Sequence, residues 1–303
     1  MKHQPAIRGV LPVLQIPYRD NGAIDYEILA REIDHVVALG ADGVVMALGS
    51  ELPRLTGEER LDLTVKIPAF VDGRCTVTIS VGSNTPQQAV TFARAAEDAG
   101  ADAVMALSPA IESPSEEHLL SYYKAIHNAV GIPLVVQNTT GIVGYTLPVE
   151  FLARLRRELG ARIYFKPESQ PVGPSLTRLR QELGNDAVVF DGNGGLYMID
   201  TYRRGIDGLM PACDLIRGTV AVWRALKDGD YERAYRVHLP LAAIVTLQIQ
   251  SMDTYLASAK YLLYRQGIFG NYTVREPVEH PLDSWTMAEL DRLWELFTEA
   301  LEE

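Results

Sequence analysis

Three times along this chain a short phrase recurs: Gly40-Ala41-Asp42-Gly43-Val44-Val45-Met46, Gly100-Ala101-Asp102-Ala103-Val104-Met105 and Gly205-Ile206-Asp207-Gly208-Leu209-Met210. The stretches ahead of the first two carry apolar residues at helical spacing, such as Leu29, Ile33, Val36 and Val37, or Val90, Ala93 and Ala96. A glycine at that point can take the left-handed conformation that ends a helix. The apolar run behind it suits a strand buried on both faces, as in a parallel sheet covered by helices. A repeated junction of this kind commits the chain to alternating strands and helices.

Five more strand candidates lie between and around the three phrases: Gly9 to Ile16, Cys75 to Ser80, Pro133 to Gln137, Ile163 to Lys166 and Ala187 to Asp191. That makes eight. Eight strand-helix units within roughly 220 residues predict an α/β fold of the closed (β/α)8 TIM-barrel type rather than an open doubly wound sheet. No GxGxxG follows the first strand, which weighs against a dinucleotide fold. Beyond the eighth strand only a helical period remains, over 214 to 228, 230 to about 266 and 285 to 302, with Asp230 as an N-cap and Gly267 as a stop. Residues 1–228 are accordingly expected to form the barrel and 229–303 a C-terminal helical appendage.

The 28 basic and 39 acidic residues leave a formal charge of -11, which repels phosphate backbones and argues against nucleic acid or anionic membrane as partners. No apolar run reaches the roughly 18 to 20 residues that span a bilayer, and the N-terminus lacks the apolar segment of a signal peptide. A cytoplasmic location is expected. Cys75 and Cys213 show no CxxC or Cys/His ligand spacing and read as reduced, buried thiols, and the six histidines are scattered. No metal and no cofactor is expected.

In such barrels the chemistry sits at the C-terminal ends of the strands and in the loops that follow. That rule selects Gly49, Ser50 and Glu51 after strand two, Gly82-Ser83-Asn84 after three, Ser108-Pro109 after four, and Gln137 to Gly141 after five. It also selects Lys166 and Glu168 at strand six, Asp191 to Gly195 after seven and Pro211 to Asp214 after eight. Lys166 stands apart. The chain has six lysines against 22 arginines, and this one alone ends an apolar strand, Ile163-Tyr164-Phe165. Partial desolvation there favours a neutral, nucleophilic amine able to form a Schiff base with a carbonyl; the alternative is a lysine that reaches solvent or pairs with Glu168. The small residues around Gly49 let backbone N–H groups approach an anion, and Thr56 with Glu59 has capping-box spacing. Gly192-Asn193-Gly194-Gly195 offers either an anion site or a tight turn. Asp191 and Asn193 either line the far end of a substrate or cap the next helix. Tyr122-Tyr123 and the set Tyr255, Tyr261 and Tyr264 read as packing or interface residues.

In order and spacing, Gly9-Val10-Leu11-Pro12-Val13, Gly49-Ser50-Glu51 with Leu55-Thr56 and Glu59-Arg60, Val81-Gly82-Ser83-Asn84, Pro133 to Asn138, Lys166 and Gly205 to Met210 resemble the dihydrodipicolinate synthase and N-acetylneuraminate lyase family of class I aldolases. The resemblance covers nearly the whole chain. It implies that Lys166 forms the Schiff base with a small 2-oxo acid, that the loop after strand two holds the carboxylate, and that Asn138 and Met210 lie among the substrate contacts. It also implies a homotetramer built from dimers.

The departures are specific. Where dihydrodipicolinate synthases have Gly-Thr-Thr-Gly-Glu, this chain has Ala47-Leu48-Gly49-Ser50-Glu51, without either threonine hydroxyl. Gln137 replaces the proton-carrying tyrosine, Ile142 replaces the carboxylate-gripping arginine, and Pro109-Ala110-Ile111 lacks the tyrosine lent across the dimer. Glutamine does not titrate, so Gln137 orients an oxygen rather than moving a proton. Val-Gln-Asn on strand five and Phe-Lys-Pro-Glu on strand six are most similar to the 2-keto-3-deoxy-L-arabonate dehydratase branch. The expectation is a lyase that dehydrates a 2-keto-3-deoxy sugar acid, with Lys166 as nucleophile, Ser50 and the N–H groups near Gly49 on the carboxylate, and Glu168 as acid or base or merely as a charge partner. An aldolase or condensing enzyme using pyruvate is the alternative within the enzyme class; a barrel that binds a 2-oxo acid without turnover is the alternative outside it.

Overall fold

The computed structural model describes residues 7–111, 114–139 and 144–302. Its strands are β1 (Gly9–Val10), β2 (Gly43–Met46), β3 (Thr76–Ser80), β4 (Ala103–Ala106), β5 (Leu134–Asn138), β6 (Ile163–Pro167), β7 (Phe190–Asp191) and β8 (Gly208–Leu209). All pair in parallel, in the orders β2-β3-β4-β5-β6 and β1-β8-β7. Single bridges close both seams, Val13 with Val45 on one side and Phe165 with Val189 on the other. The result is the expected (β/α)8 barrel. β1 is shorter than Gly9 to Ile16 because Pro12 has no N–H to contribute and pairing resumes only as a bridge at Val13.

Around the strands run α1 (Tyr26–Ala38), α2 (Gly57–Val71), α3 (Pro86–Asp98), α4 (Glu116–Ala129), α5 (Val149–Leu159), α6 (Val172–Leu183), α7 (Met198–Arg203) and α8 (Ile216–Asp228). Leu11, Val13, Val45, Met105, Val135 and Phe190 fill the barrel interior, and a second apolar layer lies between strands and helices. Thr56 and Glu59 form the expected capping box at the start of α2. Of the two free cysteines, Cys213 is buried as expected, but Cys75 is only partly so because it stands just ahead of β3, at the barrel's lower rim.

The repeated phrase now has a physical account. Gly40, Gly100 and Gly205 have φ of 92°, 92° and 88°, the left-handed stop anticipated. The aspartate two residues on makes a two-way clasp. Asp42 donates its N–H to Val10 O and accepts Val10 N–H on its carboxylate, both at 2.8 Å. Asp102 does the same with Val77, both at 2.8 Å, and Asp207 with Val189 at 2.8 and 3.0 Å. Each clasp fixes the register of one strand on the strand before it.

After the barrel come α9 (Tyr231–Gln248), α10 (Met252–Arg265) and α11 (Ser284–Glu302). Asp230 caps α9 through Arg233 N–H, and Gly267, φ 72°, follows the end of α10. The single helical stretch expected from 230 to about 266 is in fact broken at Ile249–Ser251. Neither glycine nor proline marks the break; Ser251 and Thr254 cap the new helix reciprocally. No helix among the described residues is long and apolar enough to cross a membrane.

Candidate active site

Lys166, in register with Gln137 on the neighbouring strand, is the last residue but one of β6, with its side chain almost wholly buried. Its Nζ lies 3.0 Å from Glu168 Oε1. Glu168 is fixed from three sides. Its own N–H donates to Asn138 O at 2.7 Å, its Oε2 accepts from Gln137 Nε2 at 2.7 Å, and its Oε1 accepts from Asn193 N–H at 3.0 Å. The carboxylate can only accept, so Gln137 must present its NH2 side to it. Gln137 Oε1 is then left without a donor among the described residues, a buried acceptor free for a substrate hydroxyl. Gly192 makes room for this arrangement: a Cβ there would lie 2.0 Å from Glu168 Oε1.

These groups open on a cavity of about 620 Å³ at the C-terminal end of the barrel. Gly49, Gln137, Lys166, Glu168, Asn193 and Met210 all line it, so six of the residues singled out from sequence come together. Among the described residues, Lys166 is its only cationic side chain and Glu168 its only carboxylate. Groups of three or more His, Cys, Asp or Glu able to hold a metal are absent among the described residues.

Three expected contacts lie outside the lining. Ser50 Oγ donates to Leu14 O at 2.6 Å and accepts Ala47 N–H at 3.1 Å, so its hydroxyl serves the turn. Asn138 clamps Leu147, accepting its N–H at 2.8 Å and donating to its carbonyl at 2.9 Å. Glu51, left-handed at φ 56°, turns into the protein to pair with Lys260. Its other oxygen accepts Arg275 N–H at 3.0 Å. Asp191 is buried too, accepting Gly192 N–H, and burial raises its carboxyl to about 7. Gly82 O and Ser80 O accept from Arg60, Asn84 holds Ala110 N–H, and Ser108 bridges to Tyr145, so those loop residues secure neighbouring segments. Ile142 lies outside the described residues.

Other lining residues come from beyond the eighth strand, where the strand-end rule does not reach. Ile249, Gln250, Ser251 and Met252 enter through the break between α9 and α10, and Tyr255 through the first turns of α10. Tyr255, whose helical spacing reads as a packing or interface position, lines the cavity. The Ser251/Thr254 capping box was the one available clue to the break.

The Dihydrodipicolinate synthetase family model matches residues 6–293. The chain is 29% identical over 288 residues to the L-2-keto-3-deoxyarabonate dehydratase of Azospirillum brasilense, covering 91% of each protein. It is 30% identical over 243 residues to the 4-hydroxy-tetrahydrodipicolinate synthase of Methanosarcina acetivorans, covering 78% of this chain and 81% of that one. The solved structure of the 4-hydroxy-tetrahydrodipicolinate synthase from Methylacidiphilum fumariolicum SolV superposes with a TM-score of 0.90 at 23% identity, over 98% of both chains. A match across nearly the full length, on this barrel, establishes that the chain belongs to the dihydrodipicolinate synthetase family.

Proposed function

We propose that the protein is a Schiff-base lyase that removes water from a small 2-keto-3-deoxy sugar acid. The observation that carries this reading is Lys166 at the end of β6 with Glu168 3.0 Å away, held by Gln137 and Asn193. The relative that is an L-2-keto-3-deoxyarabonate dehydratase supports it.

The chemistry follows from that geometry. Glu168 takes a proton from the Lys166 ammonium, and the free amine attacks C2 of the 2-oxo acid. Glu168 returns the proton to the carbinolamine hydroxyl, which leaves as water and generates the iminium. The carboxylate next removes a C3 proton; the electron pair of that bond flows toward the iminium and gives an enamine. The enamine then expels the C4 hydroxyl, which takes the proton from Glu168 and departs as a second water. Hydrolysis of the unsaturated iminium restores Lys166 and releases the dehydrated 2-oxo acid. Gln137 Oε1, the open acceptor, orients a substrate hydroxyl.

The test is borohydride reduction in the presence of a panel of 2-oxo acids, followed by mass spectrometry. A reduced adduct on Lys166, absent from Lys166→Ala together with turnover, is the expected result; turnover of a 2-keto-3-deoxy acid that survives Lys166→Ala overturns it. Released pyruvate identifies retro-aldol cleavage instead, and stabilisation by pyruvate without turnover of any 2-oxo acid identifies a binding barrel. The homotetramer implied by the resemblance and the cytoplasmic location expected from the sequence belong to the same proposal, and light scattering and cell fractionation check them.

A further inference from the structure

A 2-oxo acid joined to Lys166 brings a carboxylate into a cavity with no other cation among its described lining residues. Hydrogen-bond donors must therefore balance that charge. The turn after β2 supplies no side-chain hydroxyl for this purpose: Leu48 and Gly49 have none, and Ser50 is committed to Leu14 and Ala47. A hydroxyl reaches the same spot from another element. The ring of Tyr255 rests on Gly49, where an added Cβ would lie 2.8 Å from its Cε1 and 3.1 Å from its phenol oxygen. The phenol thus fills the volume that a side chain at residue 49 would occupy.

We propose that Tyr255, carried in by α10, is the side-chain donor that binds the substrate carboxylate, standing in for a side chain on the turn after β2. This rests on the reading of the cavity as a 2-oxo acid site. Burial, reinforced by the charges of Asp214, Cys213 and Glu168, pushes this phenol well above its usual range, so it remains a neutral donor in alkaline solution. The close contact also makes residues 49 and 255 mutually exclusive in size.

The experiment follows two readouts against pyruvate concentration: borohydride-trapped adduct on Lys166, and the pyruvate-dependent rise in unfolding temperature, which needs no covalent step. Tyr255→Phe keeps the ring on Gly49 and removes only the donor. The half-saturating pyruvate concentration should rise about ten- to a hundredfold, as for a lost hydrogen bond to a charged group. Methyl pyruvate, a ketone without the carboxylate charge, should be trapped by wild type and variant alike. Gly49→Thr should lose pyruvate binding through collision with the ring, whereas Gly49→Thr with Tyr255→Ala should regain it, because the threonine then has room for its own hydroxyl. Unchanged pyruvate dependence in Tyr255→Phe, equal losses for both ketones, or a folded double variant without recovery each overturns the proposal. Absence of an adduct in wild type, with Tyr255-dependent stabilisation retained, fails the Schiff-base reading alone.

Discussion

Lys260 and Glu51, 209 residues apart in the chain, meet in an ion pair with no solvent access to either side chain. Lys260 also donates to Thr273 O at 2.8 Å, and Arg275 N–H reaches the second oxygen of Glu51 at 3.0 Å. The pair therefore ties the turn after β2, which carries Gly49, to α10 and to the segment behind it. Burial lowers the Lys260 ammonium to about 8, Glu51 opposing that shift. Removing one partner leaves the other charge buried alone. Lys260→Met is expected to destabilise the fold by about 3 to 5 kcal/mol, and Lys260→Met with Glu51→Gln to recover part of the loss. Urea unfolding of the two variants checks this; a single variant as stable as wild type contradicts it.

Gly192 and Glu168 compete for the same space. Gly192→Ala should displace the Glu168 carboxylate from both Lys166 and Gln137, since the new Cβ would stand 2.0 Å from Oε1. An expected loss of about a hundredfold in kcat/KM, with an unfolding midpoint near that of wild type, follows if Glu168 moves the protons as proposed. Steady-state kinetics on the substrate found by trapping measures it.

Asn138 is expected to matter for architecture more than for affinity. Its amide makes two buried bonds to Leu147 and so pins the chain that returns from the loop after β5. Asn138→Ala should cost about 1 to 3 kcal/mol from the unpaired Leu147 groups. Thermal unfolding reports the cost directly. A variant with full stability and a large rise in KM would instead make Asn138 a substrate contact.

Glu32 is fully buried, with Oε1 accepting Gln15 N–H at 3.0 Å and Oε2 unpartnered among the described residues. Desolvation raises its carboxyl from 4.5 to about 8, with Asp214 adding to the rise and Lys260 and the hydrogen bond from Gln15 opposing it. The folded protein thus holds a proton that the unfolded chain has released between those values. Stability from this group is greatest below about 4.5 and is lost as pH climbs through about 8. Glu32→Gln carries no such proton, so wild type should lose more stability than the variant between pH 5 and pH 9. Parallel urea titrations at the two pH values decide it; equal slopes for both proteins reject the assignment.

The barrel was legible from sequence because its strands are short apolar runs buried on both faces and its junctions repeat. The position of Lys166 was legible because a lone lysine closing such a run falls at the cavity end of the barrel, where the structure places it beside Glu168. The same strand-end rule overreached at Ser50, Glu51 and Asn138. It fixes where the backbone arrives, not where the side chain turns, and those three turn toward Leu14, Lys260 and Leu147. Tyr255 was missed for the opposite reason. It lies on a helix of ordinary period, and only the packing of α10 against the turn after β2 carries it into the cavity.

The aspartate clasps at Asp42, Asp102 and Asp207 all stand where strands enter the barrel, whereas Lys166 stands where one leaves it. Cohesion and the proposed chemistry thereby fall on opposite rims. Substitutions on the exit rim can rewrite which acid is bound and which bond is broken while the clasps below continue to hold each strand in register. That separation lets one scaffold host divergent reactions, and it explains why the most repetitive phrase in this chain carries no information about the substrate.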